Sequence, residues 1–224
     1  MTLKFPLLFT PLAAILVAAS FAHAAEPTVR LDPMPGSKMR IEGTSSVHDW
    51  QVEGNLIGGR LEAGPNFPLE PAQAVSPGKA DVKATAFVPV RSLKSIEKDG
   101  RPYSDSMDDI LWGKLLQITN PRILYRLDEL TLKDAPKNPS GPYVFDAKGE
   151  LVVAGVTNAI TMPVNITPLG DKKLKITGST TVKMTDYKIE PPAPKIALGM
   201  IKTGDEVKLI FDWRVGPKPA PPQK

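Results

Sequence analysis

A period-two alternation of apolar and polar residues returns along most of this 224-residue chain, and an antiparallel sheet is what absorbs such a pattern. Val82, Ala84, Ala86 and Val88 alternate with Asp81, Lys83, Thr85 and Phe87. Ile123, Tyr125 and Leu127 alternate with Leu124, Arg126 and Asp128. Ile160, Met162, Val164 and Ile166 alternate with Thr161, Pro163, Asn165 and Thr167, and Leu174 and Ile176 sit between Lys173, Lys175 and Thr177. Near the end, Val207, Leu209, Phe211, Trp213 and Val215 alternate with Lys208, Ile210, Asp212 and Arg214. Successive strand residues point to opposite faces, so each run has one apolar and one mostly wet face. Strands of a parallel sheet are covered on both faces and lack this alternation. Adding Met39–Ile41, Val47–Ile57 and Phe145–Val156 predicts about eight strands.

One segment departs from the rhythm. Met107, Ile110, Leu111, Leu115 and Ile118 fall at helical spacing, which predicts one short amphipathic helix beginning at Ser106. Ser106 as N-cap with Asp109 three residues on makes a capping-box-like start, and Asn120-Pro121 stops the helix. Its apolar stripe would lie on a barrel wall or across an open end. About eight strands and one helix leave a barrel or a sandwich; alternation alone does not choose between them.

The ends read differently. Residues 1–24 have the form of a secretory signal peptide: Lys4, an uncharged apolar stretch from Leu7 to Phe21, then Ala22-His23-Ala24. The stretch is shorter than the ~20 residues a membrane-spanning helix needs, and Pro11 interrupts it. Residues 25–37, with three prolines and a glycine, read as an extended N-terminal segment, and 216–224 as a proline-rich, basic C-terminal tail. Contact of the two tail lysines with anionic lipid is the one membrane-surface interaction this pattern allows. A solvated terminus is the simpler account of two lysines among four prolines.

Composition narrows the chemistry. The chain has no cysteine, which removes disulfides, thiolate nucleophiles and Cys-bearing metal sites. Its net charge of +4 is mild and unclustered, which does not describe a nucleic-acid binder. Twenty-four prolines favour turns over long helices. Removal of residues 1–24 leaves one histidine, His48, so no metal site built on two imidazoles of one chain can form. No metal and no cofactor is implied.

The run Thr44-Ser-Ser-Val-His-Asp49 invites a hydrolase reading. On one extended strand Ser46 and His48 would share a face, while Asp49 points away and cannot orient the imidazole. His48 therefore reads as a wall residue or a contact to a polar head group. Asp105, Asp108 and Asp109 lack calcium-loop spacing and are explained by favourable charge at a helix start. Arg101 and Arg122 are candidates for steering an anionic head group. The apolar faces line the interior whether it is packed or hollow: Val82, Ala84, Ala86, Ile123, Tyr125, Leu127, Ile160, Met162, Val164, Leu209, Phe211 and Trp213, with Trp50 as a further large contact surface. The small residues Ala84, Ala86 and Ala154 favour a hollow.

At Arg40-Ile-Glu-Gly-Thr-Ser-Ser-Val-His-Asp-Trp50 the chain resembles the YceI-like family of secreted bacterial proteins. Further matches follow in the family's order: Ser106-Met107 through Asn120-Pro121-Arg-Ile-Leu-Tyr125, then Gly149-Glu-Leu-Val-Val-Ala-Gly-Val-Thr157, then Thr185-Asp186-Tyr187 with Pro191-Pro192 and Met200 to Val207. Where the family has an Asp-(Phe)-Gly turn, this chain reads Asp186-Tyr187-Lys188. The resemblance covers residues 38–215 and implies an all-β, antiparallel, eight-stranded lipocalin-like barrel. It also implies residence in the periplasm and a non-enzymatic role, enclosing a polyisoprenoid, quinone-type or other lipid chain. Two other readings are kept beside it: a small periplasmic enzyme with His48 as general base, and a packed sandwich serving as an envelope interaction module.

Overall fold

The computed structural model describes residues 28–193 and 201–218. In chain order its strands are β1 (Val29–Pro33), β2 (Lys38–Ser45), β3 (Trp50–Gly54), β4 (Gly58–Ala63), β5 (Gly78–Lys79) and β6 (Val82–Pro89). There follow β7 (Lys94–Ile96), the helix α1 (Asp105–Lys114), β8 (Arg122–Asp134), β9 (Tyr143–Val153), β10 (Val156–Gly170), β11 (Lys173–Lys183) and β12 (Thr203–Gly216). Eight of these, in the order β1-β4-β6-β8-β9-β10-β11-β12, form a ring. The ring closes through Asp32↔Gly216 and Pro33↔Val215 between β1 and β12. The fold is thus a closed eight-stranded antiparallel barrel with one helix. Closure leaves no bare edge in the ring, which is how such sheets avoid edge pairing with other chains.

β12 is long enough to serve two neighbours. Its last residues pair with β1, whereas Val207 to Asp212 pair with β2, so β2, β3 and β7 extend the wall at the other end. There β7 is followed by a loop and then by α1. The Ser95 amide donates to the Asp108 carboxylate at 2.6 Å, and Trp112 Nε1 donates to the Leu93 carbonyl at 3.0 Å, which fixes the helix against β7.

The end closed by β1 is packed solid. Leu31, Ala63, Phe67, Phe145, Leu174 and Val215 are wholly buried there. Phe67, on the loop after β4, stacks on Phe145 with centroids 6.4 Å apart. The loop is held by Gln73, whose side chain accepts the Leu69 amide at 2.9 Å and donates to the Phe67 carbonyl at 3.0 Å. The Tyr143 hydroxyl donates to the Gln73 carbonyl at 2.5 Å.

Several sequence expectations are corrected. Residues 25–37 are not a linker throughout: Val29–Pro33 are the strand that closes the barrel, with Leu31 fully buried. The prolines that suggested a linker bracket only a short strand; Pro33 pairs at the strand's end. Residues 25–27 of that segment, residues 1–24 expected to be a signal peptide, and most of the C-terminal tail lie outside the described residues, and Gly216, assigned to the tail, belongs to β12. Val47–Ile57 is not one strand. Ser45 Oγ accepts the amides of Val47 and His48 and donates to the His48 carbonyl at 2.7 Å, turning the chain between β2 and β3. The helix is capped by Ser104 rather than Ser106 and ends at Lys114, because Leu116 takes a left-handed conformation with φ 52°. Ile118 therefore leaves the stripe and stands 92 % exposed. Ala154 is not a wall residue either: with Gly155 it forms the two-residue turn joining β9 and β10, both at positive φ.

Candidate functional site

Above the packed floor the barrel is hollow, in two chambers. A large one of about 760 Å³ occupies the end bounded by β2, β3, β7 and α1. A smaller one of about 130 Å³ lies between it and the floor. Met39, Ile123 and Leu209 line both and form a neck between them. In the ring, β8 and β12 are four strands apart in either direction, so Ile123 faces the neck from the wall opposite Leu209, and Met39 on β2 pairs with Phe211 two residues farther along β12.

The deep chamber is walled almost entirely by carbon. β6 supplies Val82, Ala84 and Ala86, β8 supplies Tyr125 and Leu127, β10 supplies Ile160, Met162 and Val164, and β12 supplies Phe211 and Trp213. Short alanines on β6 leave the volume that larger side chains would fill. The Phe211 ring lies over Gly178, its cross-strand partner on β11, where a Cβ would meet the ring at 2.6 Å. The same device recurs with Trp50 over Gly43 and Phe87 over Gly58, each also a directly paired position. Glycine on one strand lets the aromatic ring of the next lie flat along the wall. Two polar atoms among the deep-chamber residues, Tyr125 Oη and Trp213 Nε1, are buried without a hydrogen-bond partner. Burial pushes the Tyr125 hydroxyl up to about 12, with the nearby Asp128 charge adding to it, so it stays protonated.

The large chamber opens at a rim of mixed character. Met107, Ile110 and Leu111 of α1, with Leu115 just beyond its end, line it on the helix side. Val182, Met184, Tyr187 and Val207 line it as well. Around the mouth stand His48, Trp50, Tyr103 and Arg101, together with Glu97, Lys98, Asp99 and Lys114. His48 Nδ1 lies 2.8 Å from the Asp49 carbonyl, which places the proton on that nitrogen, and its ring meets Tyr103 edge-on with centroids 6.2 Å apart. Arg101 Nε donates to Asp99 at 2.7 Å, and this bond with the Arg101 amide holds the Asp99 carboxyl below its usual range. The rim carries both signs and no dominant charge.

The residues singled out from sequence divide as follows. Ten of the lining set fall on the deep chamber, Ile123 and Leu209 on the neck, and Trp50 on the mouth. His48 and Arg101 lie at the mouth, whereas Arg122 lines neither chamber; its guanidinium stacks over the Phe87 ring at 4.6 Å. Asp108 is turned inward to Ser95 and Lys94, which accounts for an acid at that position without a cation. Sequence reasoning missed Met39, Ile41, Val182, Met184 and Tyr187. The signal for two of them was present, since Met39 and Ile41 continue the β2 alternation. Tyr187 lies in a 3-10 turn (Thr185–Tyr187), where no periodicity operates.

The geometry defines a lipocalin-like container: a closed barrel, solid at one end, with an apolar cavity opening at the other. The chain belongs to the YceI-like family; the model of the YceI-like domain matches residues 58–215. No curated protein matches it. A polyisoprenoid-binding domain from Saccharophagus degradans, implicated in plant cell wall breakdown, shares 12 % identity with a TM-score of 0.58, covering 84 % of this chain and 98 % of its own. BcnA from Burkholderia cenocepacia shares 18 % identity with a TM-score of 0.55, over 80 % of this chain and 95 % of that one. The Campylobacter jejuni YCEI protein shares 14 % identity with a TM-score of 0.50, over 75 % and 85 %. At these identities the likeness is one of fold.

Proposed function

We propose that this protein is an exported, non-enzymatic carrier that encloses a long apolar chain, of polyisoprenoid, quinone-type or other lipid character, for storage or transfer in the periplasm. The observation that carries this reading is the cavity: about 760 Å³, apolar in its walls and prolonged beyond the neck into a second apolar chamber. That volume lies within the ~300–1,000 Å³ typical of small-molecule sites. A chain gains ~0.8 kcal/mol for each methylene taken out of water, so a few isoprene units offset an association cost of ~4–15 kcal/mol. The polyisoprenoid-binding character of the Saccharophagus degradans domain supports the same ligand class. The signal-peptide form of residues 1–24 supports export.

A binding role also suits the mouth. His48 Nδ1 is engaged by a backbone carbonyl, and the Ser45 hydroxyl is taken up by its own turn. His48 and Arg101 stand where a polar head group would emerge, with Trp50 beside them.

The test is mass spectrometry of an organic extract of protein purified from the periplasm without detergent, with N-terminal sequencing of the same sample. The expected result is a stoichiometric prenyl or acyl species, absent from a mock purification, on a chain beginning at Ala25. An empty extract from folded protein that also takes up no added prenyl lipid would overturn the reading.

A further inference from the structure

The cavity is interrupted at one level. Met39 and Leu209 line both chambers from one side and Ile123 from the other, and the deep chamber is followed by the fully buried floor of Leu31, Phe67 and Phe145. A chain entering from the mouth therefore meets two limits in order: a neck it must pass, then a floor it cannot pass. The three neck residues differ in stiffness. Ile123 is β-branched and held in a strand between β6 and β9, whereas Met39 is unbranched and turns about three side-chain bonds. Met39 is also set near the end of the β2 pairing with β12, one residue from Lys38, where the ladder stops. It is the movable side of the neck.

We infer that the neck and the deep chamber form a ruler: Met39 sets whether the end of a ligand chain enters the deep chamber, and the size of that chamber sets the longest chain fully enclosed. This rests on the chain-enclosing function proposed above and adds the residues that select among chain lengths. Short chains fill only the large chamber, where Met39 is one of many lining residues, and depend on it little. Longer chains displace it and gain contact with Ala84 and Ala86 on β6 and with Phe211 on β12. Chains longer than the floor allows leave methylenes at the mouth in water, forgoing about fourfold in affinity for each one.

The experiment uses the whole mature protein, freed of bound lipid on a hydrophobic resin, and a ladder of all-trans prenyl alcohols growing by one isoprene unit. Affinities are read by displacement of a fluorescent fatty-acid probe, with melting curves to confirm folding. Met39→Ala opens the neck, and Ala86→Leu fills the chamber beneath it. In the wild type, affinity rises with chain length and then levels off. The ratio of long-chain to short-chain affinity should fall at least tenfold in Ala86→Leu, with the plateau moved to shorter chains, and should rise in Met39→Ala. Met39→Ala removes volume without adding any, so it stands as the readout even if Ala86→Leu fails to fold. Equal shifts at every chain length, or a long-to-short affinity ratio unchanged in Met39→Ala, would overturn the ruler while leaving chain enclosure intact. A wild type that binds no member of the ladder would overturn both.

Discussion

The Ser95 amide on β7 and the Asp108 carboxylate on α1 meet at 2.6 Å, and Lys94 Nζ reaches the same carboxylate at 3.0 Å. This one carboxylate ties the helix that overlies the mouth to the last strand of the wall. Burial alone would raise the Asp108 carboxyl, but the hydrogen bonds from Ser95 and Lys94 outweigh it and hold it below its usual 3.8. Asp108→Ala leaves the Ser95 amide buried and unpaired, at a cost of ~1–3 kcal/mol. Asp108→Asn keeps an acceptor and should cost less, because Lys94 is half-exposed and its ionic share is small. A folded-state value below the unfolded one means that this stability is present at neutral pH and lost as pH falls through the carboxylate range. Urea unfolding at stepped pH checks this: the gap between wild type and Asp108→Asn should close below about pH 4.

Tyr125 carries a buried hydroxyl with no partner, on a wall made almost entirely of carbon. An unpaired buried hydroxyl costs ~1–3 kcal/mol by mutational measures. Tyr125→Phe should therefore be neutral or raise stability by up to about 1 kcal/mol, the ring packing over Gly149 being kept. Thermal unfolding decides; a clear loss of stability would mean the hydroxyl is hydrogen-bonded in solution.

Gly178 and Phe211 make the opposite case. A Cβ at residue 178 would lie 2.6 Å from the Phe211 ring and 2.8 Å from the Pro163 carbonyl, which is backbone and cannot swing aside. Gly178→Ala should cost ~1–3 kcal/mol by overpacking. It should also drive the ring into the deep chamber and weaken long prenyl chains more than short ones. Denaturant unfolding together with the prenyl-alcohol ladder measures both.

Lys188 stands where the family's turn has glycine, and it holds φ at 58°. A left-handed conformation costs a non-glycine residue ~1–2 kcal/mol, partly offset by the greater freedom glycine has when unfolded. Lys188→Gly should stabilise the fold by up to about 1 kcal/mol, measurable as a higher melting temperature with the far-UV spectrum unchanged.

Enclosure by apolar walls predicts an asymmetry between the deep chamber and the mouth. Met162→Asp places a carboxylate among Ile160, Val164 and Trp213 and should reduce retention of a prenyl chain at least tenfold. His48→Ala, at the half-open rim, should change it by only a few-fold. Equilibrium binding of one long prenyl alcohol to both variants checks the order; a reversed order would place the affinity in the head-group contacts.

Alternation along a strand settles which residues share a face, and it therefore assigns Ala84, Met162, Leu209 and Trp213 to apolar faces that the structure turns to the cavity. The helical spacing of Met107, Ile110, Leu111 and Leu115 likewise marked the apolar side that the structure turns to the mouth. Period two carries no information about height along the barrel axis. Height follows from register between strands distant in sequence, such as Leu209↔Ile41 and Pro33↔Val215. Only the tertiary structure, then, decided that Met39, Ile123 and Leu209 line both chambers, that Phe67 and Phe145 plug one end, and that Val29–Pro33 close the ring. The turn at Ser45–His48 and the Asp108–Ser95 bond escaped for a related reason. Each depends on a single side chain meeting a backbone group, and no periodic pattern encodes that.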